Sequence, residues 1–186
     1  MKRLIAAICL PFIIIACSSM GTTLLSIDKD ELYSLKRIGI VPCVFYNLPD
    51  DISRDEFRNI IEICDSTMIS NMKKQSQIKD ILLIYNDTLY TKYFEDIDGS
   101  KLNEYVKLRN LDALIFITIT YRKTSVMFIP AVFSKTNMTV KKGDNLNTIY
   151  ELEYDNRFTS DASTYEHSTE EGIEGVVNLF IDKLKK

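Results

Sequence analysis

Apolar residues recur along this chain in two rhythms. Between residues 54 and 75, Phe57, Ile60, Ile61, Cys64, Met68 and Met72 follow one another at three- and four-residue steps. That is one stripe of a 3.6-residue helix, so the spacing predicts a helix over 54–75 with a single face on a core. Ser53-Arg54-Asp55-Glu56 opens it as a capping box, with Ile52 and Phe57 at the two staple positions. Elsewhere apolar residues run on without a polar face. RIGIVPCVFYN (37–47), DILLIY (80–85) and ALIFITITY (113–121) read as strands covered on both sides. Pro42 has no N–H to give a ladder, so regular pairing is expected to end near it.

The remaining segments are shorter. Leu102, Tyr105 and Val106 mark a helix over 100–109, closed by Asn110, a residue that tolerates the left-handed conformation. VMFIPAVFS (126–134) is apolar with a proline inside, and reads as an edge strand or a bend. TNMTV and LNTIYELEY flank Lys142-Gly143-Asp144-Asn145, a hairpin signal. In the second of these strands Tyr150, Leu152 and Tyr154 alternate with Glu151 and Glu153, so one side is buried. Ser168-Thr169-Glu170-Glu171 reads as a second capping box, opening a helix with Ile173, Val177, Phe180 and Leu184 inward. NDTLYTKYFEDIDGS (86–100) is a polar and aromatic connection. The expected fold class is α/β with a mixed sheet: β-α-β-α-β, then hairpin strands and a C-terminal helix, in one domain.

The first residues follow a different logic. Lys2 and Arg3 precede an apolar run, Leu4 to Ile15, that ends in Ala16-Cys17-Ser18-Ser19. The run is too short for a membrane-spanning helix, which needs about 20 apolar residues, and it has the three parts of a secretory signal. Ile14-Ile15-Ala16-Cys17 resembles the lipobox of bacterial lipoproteins. The resemblance implies cleavage before Cys17, a diacylglyceryl thioether on its sulfur and an acyl group on its amino end. Ser18 after the cysteine implies delivery to the outer membrane, on its periplasmic face. The expected division is 1–16 signal peptide, 17–35 lipidated Cys and short tether, and 36–186 the α/β domain. At about 3.4 Å per residue a tether of ~15 residues reaches at most ~50 Å.

Hydrophobic residues at 46% and charged residues at 26% are those of a globular protein. Without Lys2 and Arg3 the chain has 21 basic and 26 acidic residues, which gives no reason to expect nucleic acid as a partner. In an exported protein Cys43 and Cys64 are a candidate disulfide. A bridge needs Cα atoms within about 4.4–6.8 Å, tight for a helix resting on a sheet, and two buried thiols are the preferred reading. His167 has no partner at metal or triad spacing and reads as an exposed residue before a helix. Gly172 and Gly175 lack the preceding strand of a phosphate loop. Asp50-Asp51 and Glu95-Asp96-Asp98 read as solvated turns, and Tyr90, Tyr93 and Phe94 as core or lid rather than a binding patch. No catalytic, cofactor or metal site can be assembled, so a non-enzyme is expected.

A "GIVP" strand, a long helix, a further strand and then "LRNLDALIFITIT" resemble the order of elements in curli-secretion (CsgG-like) lipoproteins. Penicillin-binding-protein activator (LpoB-like) lipoproteins and the N-terminal domain of TolB share that layout. Asn110 to Ala113 occupy the family's short motif ahead of the apolar strand, and the likeness covers roughly residues 36–184. It implies an envelope lipoprotein that binds another envelope protein or its own copies without catalysis. The alternative it implies is an oligomeric secretion or transport component related to the curli channel. Against a pore, VMFIPAVFS does not alternate as membrane strands of about 9–11 residues do.

Overall fold

A computed structural model describes residues 21–50, 52–74, 77–84, 99–126, 129–156 and 164–185. The chain order is β1 (Gly21–Ile27), α1 (Lys29–Ser34), β2 (Arg37–Ile40), β3 (Val44–Tyr46), α2 (Arg54–Met72), β4 (Asp80–Leu83), α3 (Gly99–Arg109), β5 (Ala113–Val126), β6 (Ile129–Lys142), β7 (Thr148–Asp155) and α4 (Tyr165–Leu184). One seven-stranded mixed sheet runs β1-β7-β6-β5-β2-β4, with β3 also on β5. The stretch 37–47 is split as Pro42 requires. β2 pairs in parallel with β5 at Ala113–Ile115, and β3 resumes on the same strand at Thr118–Thr120.

Two helices cover one face of the sheet. Ile60, Cys64, Met68 and Met72 of α2 and Ile173, Val176, Val177 and Phe180 of α4 bury themselves against Ile115, Ile117, Ile119, Met138, Val140, Tyr150 and Leu152. On the opposite face α3 brings Leu102 and Val106 onto Val41, Ile84, Leu114 and Phe116. The capping box of α2 is present in full: Ser53 Oγ accepts from Glu56 N–H, and Glu56 accepts from Ser53 N–H.

α3 ends as its sequence predicts. Asn110 has φ 52°, Asn110 N–H donates to Lys107 C=O, and Leu111 N–H to Val106 C=O. That is a Schellman motif, with Val106 and Leu111 as its apolar contact. The next residue fastens three elements. Asp112 Oδ2 accepts from the N–H groups of Lys36 and Arg37, each at 2.8 Å. Asp112 N–H donates to Arg37 C=O, and Asp112 C=O accepts from Gly143 N–H, both also at 2.8 Å. Gly143 is needed for that approach, because a Cβ there would strike Leu111 C=O and come within 2.9 Å of Val106 Cγ1.

Two expectations are corrected. Residues 21–35 are not part of a tether. β1 pairs antiparallel with β7, and α1 is capped by Asp28 and buries Leu32. The sheet therefore starts four residues after Cys17. The stretch 126–134 holds the end of β5 at Val126 and the start of β6 at Ile129, and its β6 part lies at an edge of the described sheet, as its proline suggests. The described β7 flanks β6 only from Lys135 on, so Pro130 has no described strand on its outer side and its missing N–H breaks no described ladder. Finally, α4 starts at Tyr165, with Thr164 Oγ1 accepting from His167 N–H, so Ser168 is an interior residue and not a cap.

Removing the Asp112 carboxylate leaves two strand-entry N–H groups without their acceptor. Hydrogen bonds to a charged group contribute about 1.5–3 kcal/mol each, so Asp112→Ala should cost about 3 kcal/mol or more. Urea unfolding followed by circular dichroism measures it. A loss within error of zero would show that the junction is not what fixes β2 on β5.

Candidate functional site

The residues singled out in the sequence fall in different places. Cys17 falls outside the described residues, as do Tyr90, Tyr93, Phe94, Glu95, Asp96, Asp98 and Asp51. Cys43 and Cys64 are joined in a disulfide with Cα atoms 7.2 Å apart, so the preference for two thiols is reversed. The bond closes a loop of 21 residues between the β2–β3 junction and α2. His167 is half-exposed in the first turn of α4, with Nε2 3.4 Å from Glu171 Oε1.

A polar seam runs under the start of α4. Tyr121 of β5 is fully buried, and its hydroxyl lies 2.6 Å from Thr169 Oγ1. Thr169 spends its own hydrogen on Tyr165 C=O at 2.7 Å, so Tyr121 is the donor in the first bond. Ser134 Oγ donates to Ser168 C=O at 2.8 Å. Asn156 Oδ1 accepts from Ser134 N–H at 2.7 Å, while its Nδ2 donates to Ser168 C=O and Oγ at 3.3 Å. The Tyr165 ring meets Tyr121 edge-on at 5.0 Å, Phe45 stacks on the other side at 6.4 Å, and Lys123 Nζ stands 5.5 Å over Tyr165.

This seam holds a helix rather than a reaction. Burial pushes the Tyr121 hydroxyl far above its ordinary 10.0, so it gives up no proton near neutral pH. Ser168 and Thr169 direct their hydroxyls inward, to Asn156 and Tyr121, and neither is turned toward His167 as a triad would require. Among the described residues, no three His, Cys, Asp or Glu side chains gather to hold a metal ion. Gly172 lets the helix lie this close. A Cβ there would strike Thr136 Oγ1 and come within 2.9 Å of Ser134 Oγ. Gly175 likewise leaves room for the Tyr154 ring. Both glycines serve packing, not phosphate.

The functional geometry lies at the end of the sheet. Gly21 is opposite Asp155, Asp155 opposite Lys135, and Lys135 opposite Thr120, so β7 and β3 end within a residue of that level and the described part of β1 begins there. The β5–β6 hairpin goes on, paired from Tyr121↔Ser134 to Val126↔Ile129. Arg122, Lys123 and Thr124 are exposed on it, and Lys135 at its base is 2.6 Å from Glu153. β1 is an edge strand of seven residues with no charge and no proline, and Leu24 and Leu25 are exposed on it. The apolar stripe of α4 could have located the seam, because Tyr165, Thr169 and Gly172 continue the spacing of Ile173, Val176 and Phe180 backwards past Ser168. Nothing in the sequence tells which way β1 points relative to the hairpin.

No family model and no curated protein matches the chain. Similar solved structures include the PelC dodecamer from Paraburkholderia phytofirmans, with 11% identity, a TM-score of 0.49 and coverage of 88% of this chain and 93% of that one. Lipoprotein GNA1162 from Neisseria meningitidis gives 11%, 0.47, 79% and 99% in the same terms. The hypothetical protein CT253 from Chlamydia trachomatis gives 11%, 0.44, 80% and 93%. At these identities and TM-scores, what the chain does has to be read from its own residues.

Two measurements check the seam. Gly172→Ala should destabilise the domain by about 1–3 kcal/mol, the usual cost of overpacking, with its effect read in the urea midpoint. An unchanged midpoint would mean that α4 is not pressed onto β6 as described. The pH profile has a definite sign. Tyr121, Tyr150 and Tyr154 all hold their protons above the ordinary 10.0 because they are buried. The unfolded chain loses those protons from about pH 10 while the folded chain keeps them, so this contribution is constant below that pH and falls above it. Tyrosinate absorbance should therefore rise in part only as the domain unfolds. Full ionisation near pH 10 with the fold intact would contradict it.

Proposed function

We propose that the chain is a lipid-anchored bacterial envelope protein whose α/β domain is a non-catalytic binding or assembly module. The observation that carries this reading is the spacing between two features. A lipobox-like Ile14-Ile15-Ala16-Cys17 is followed, only four residues later, by the first residue of an edge strand. A span of four residues reaches about 14 Å at most, so lipid on Cys17 would hold the sheet against its bilayer with no stalk between them.

The described residues support a binding role in the same way. No helix among them is long and apolar enough to cross a membrane. The buried hydroxyls of Tyr121, Ser134, Ser168 and Thr169 are used in holding α4. What the domain offers outward is an uncharged edge strand and a projecting hairpin, and edges of this kind accept a further strand. The partner in this reading is another envelope protein or further copies of the chain. Crosslinking in intact envelopes tests it: a chain that stays a monomer and recovers no neighbour is not an assembly module.

The anchor has its own test. Cys17→Ser should give a precursor that incorporates no palmitate analogue and leaves the detergent phase on partitioning. Its circular dichroism spectrum should match the parent's, since the described sheet begins at Gly21. Label retained by the variant would place the anchor elsewhere and remove the reading.

A further inference from the structure

We infer that the far end of the β5–β6 hairpin is a second membrane contact, resting against the same bilayer that receives the Cys17 lipid. The inference rests on the anchor proposed above and adds a surface to it.

The geometry follows from register alone. β1 runs antiparallel to β7, and β7 antiparallel to β6. Gly21, the end of β1 nearest Cys17, is therefore at the end of the sheet from which the hairpin projects. Gly21 is level with Lys135 and Thr120, and the Val126↔Ile129 pair is six residues further out. At about 3.4 Å per residue that is about 20 Å of projection. The four residues back to Cys17 span about 14 Å at most. The hairpin thus reaches further from the sheet than the anchor does. A domain held by Cys17 brings the hairpin to the lipid, whether the sheet stands upright or leans over.

Composition suits that position. Between Tyr121 and Gly143 the sequence has no Asp or Glu, in a chain whose net charge is −3. The outer pairs are Thr124↔Ala131, Ser125↔Pro130 and Val126↔Ile129, none of them charged. Behind them Arg122 and Lys123 are exposed, forming a basic neck at the height of anionic headgroups. Glu166 of α4 lies near Tyr121, so the neck is not a field of one sign, and the apolar end contributes the larger part of the contact. Among the described residues no further strand pairs with the outer part of the hairpin, and an uncharged end of this kind would be an aggregation site in water, which a lipid surface covers.

Length decides between contact and crossing. Beyond the level of Tyr121 each strand contributes five paired residues, Arg122–Val126 and Ile129–Phe133. A membrane-crossing strand needs about 9–11. The hairpin enters the interfacial layer and stops there.

The chain has no tryptophan, so one can be introduced as a reporter. The full-length lipidated protein, carrying Ile129→Trp, is reconstituted into phosphatidylethanolamine–phosphatidylglycerol vesicles with brominated acyl chains. The control carries Leu108→Trp, on an α3 residue that is 80% exposed and close to the start of β5, at the other end of the sheet. The expected result is a blue-shifted, quenched emission from the Ile129→Trp protein and an unquenched one from the control. Adding Arg122→Glu and Lys123→Glu should weaken the quenching. If the protein floats with the vesicles and both reporters are equally unquenched, the hairpin contact is wrong and the anchor stands. If quenching is absent because a protein partner shields the hairpin, crosslinks from residue 129 will report that partner, and the lipid contact is equally overturned. If the protein does not float, the anchor fails and the hairpin contact falls with it.

Discussion

Asp112 is the point on which the two halves of the sheet depend. Its carboxylate takes the N–H groups of Lys36 and Arg37, where β2 begins, while its own backbone closes on Arg37 and Gly143. One residue thereby sets the register of β2 on β5 and seats the turn between β6 and β7. β2 and β5 are parallel, so no hairpin turn can fix their alignment, and a side chain must do it. A slip of one residue would move Ile115, Ile117 and Ile119 from the α2–α4 face to the other. The run Asn110 to Asp112 thus has a physical reason: the left-handed Asn110 ends α3, Leu111 packs back, and Asp112 fastens the next strand.

With that end fixed, the opposite end is free to differ from strand to strand. β3 and β7 end at one level, where the described part of β1 begins, and β5 and β6 continue as a pair. The seam under α4 is what allows the continuation. Tyr121 and Ser134 face each other at the first step beyond that level, and both are tied to α4, at Thr169 and Ser168. Asn156 stands in for one more residue of β7, accepting from Ser134 N–H with its side chain and donating to Ser134 C=O with its backbone. The buried polar groups serve the same purpose as the Asp112 junction, which is to fix position where apolar packing alone would permit sliding.

Much of the fold is legible in the sequence because local chemistry and tertiary packing agree there. α2 has its capping box and its stripe, α3 its Asn110, and β7 its alternation. The disagreements have identifiable causes. β1, GTTLLSI, is exposed along most of its length and lacks the alternation of a half-buried strand. It is a strand because β7 offers a ladder, a tertiary cause that local pattern does not record. α1 has six residues, too few to be stable alone, and depends on the Asp28 cap, the burial of Leu32 and the 2.6 Å pair between Lys142 and Glu31. Ser168-Thr169-Glu170-Glu171 has the letters of a cap, but its hydroxyls are spent on other elements. Pro42 and Pro130 are a matched contrast: the first breaks a strand pairing with β5, and the second breaks no described ladder because no described strand flanks its other side.

The candidate site was legible only in halves. The lipobox-like end stands in the first seventeen residues, and the apolar run 126–134 can be seen in the sequence, but no pattern relates the two. Their relation is a product of strand order. Had β1 paired parallel to β7, Cys17 and the hairpin would leave opposite ends of the sheet, and lipid on the one would carry the other away from the bilayer. The antiparallel choice turns the Gly21 end of β1 to the side from which the hairpin projects by about 20 Å, and Cys17 can lie at most about 14 Å from Gly21. An envelope protein with a stalk can present any surface to a partner. A domain tied within four residues of its lipid, as proposed, would have its orientation limited by its own shape, and the hairpin would be the part of that shape that meets the membrane first.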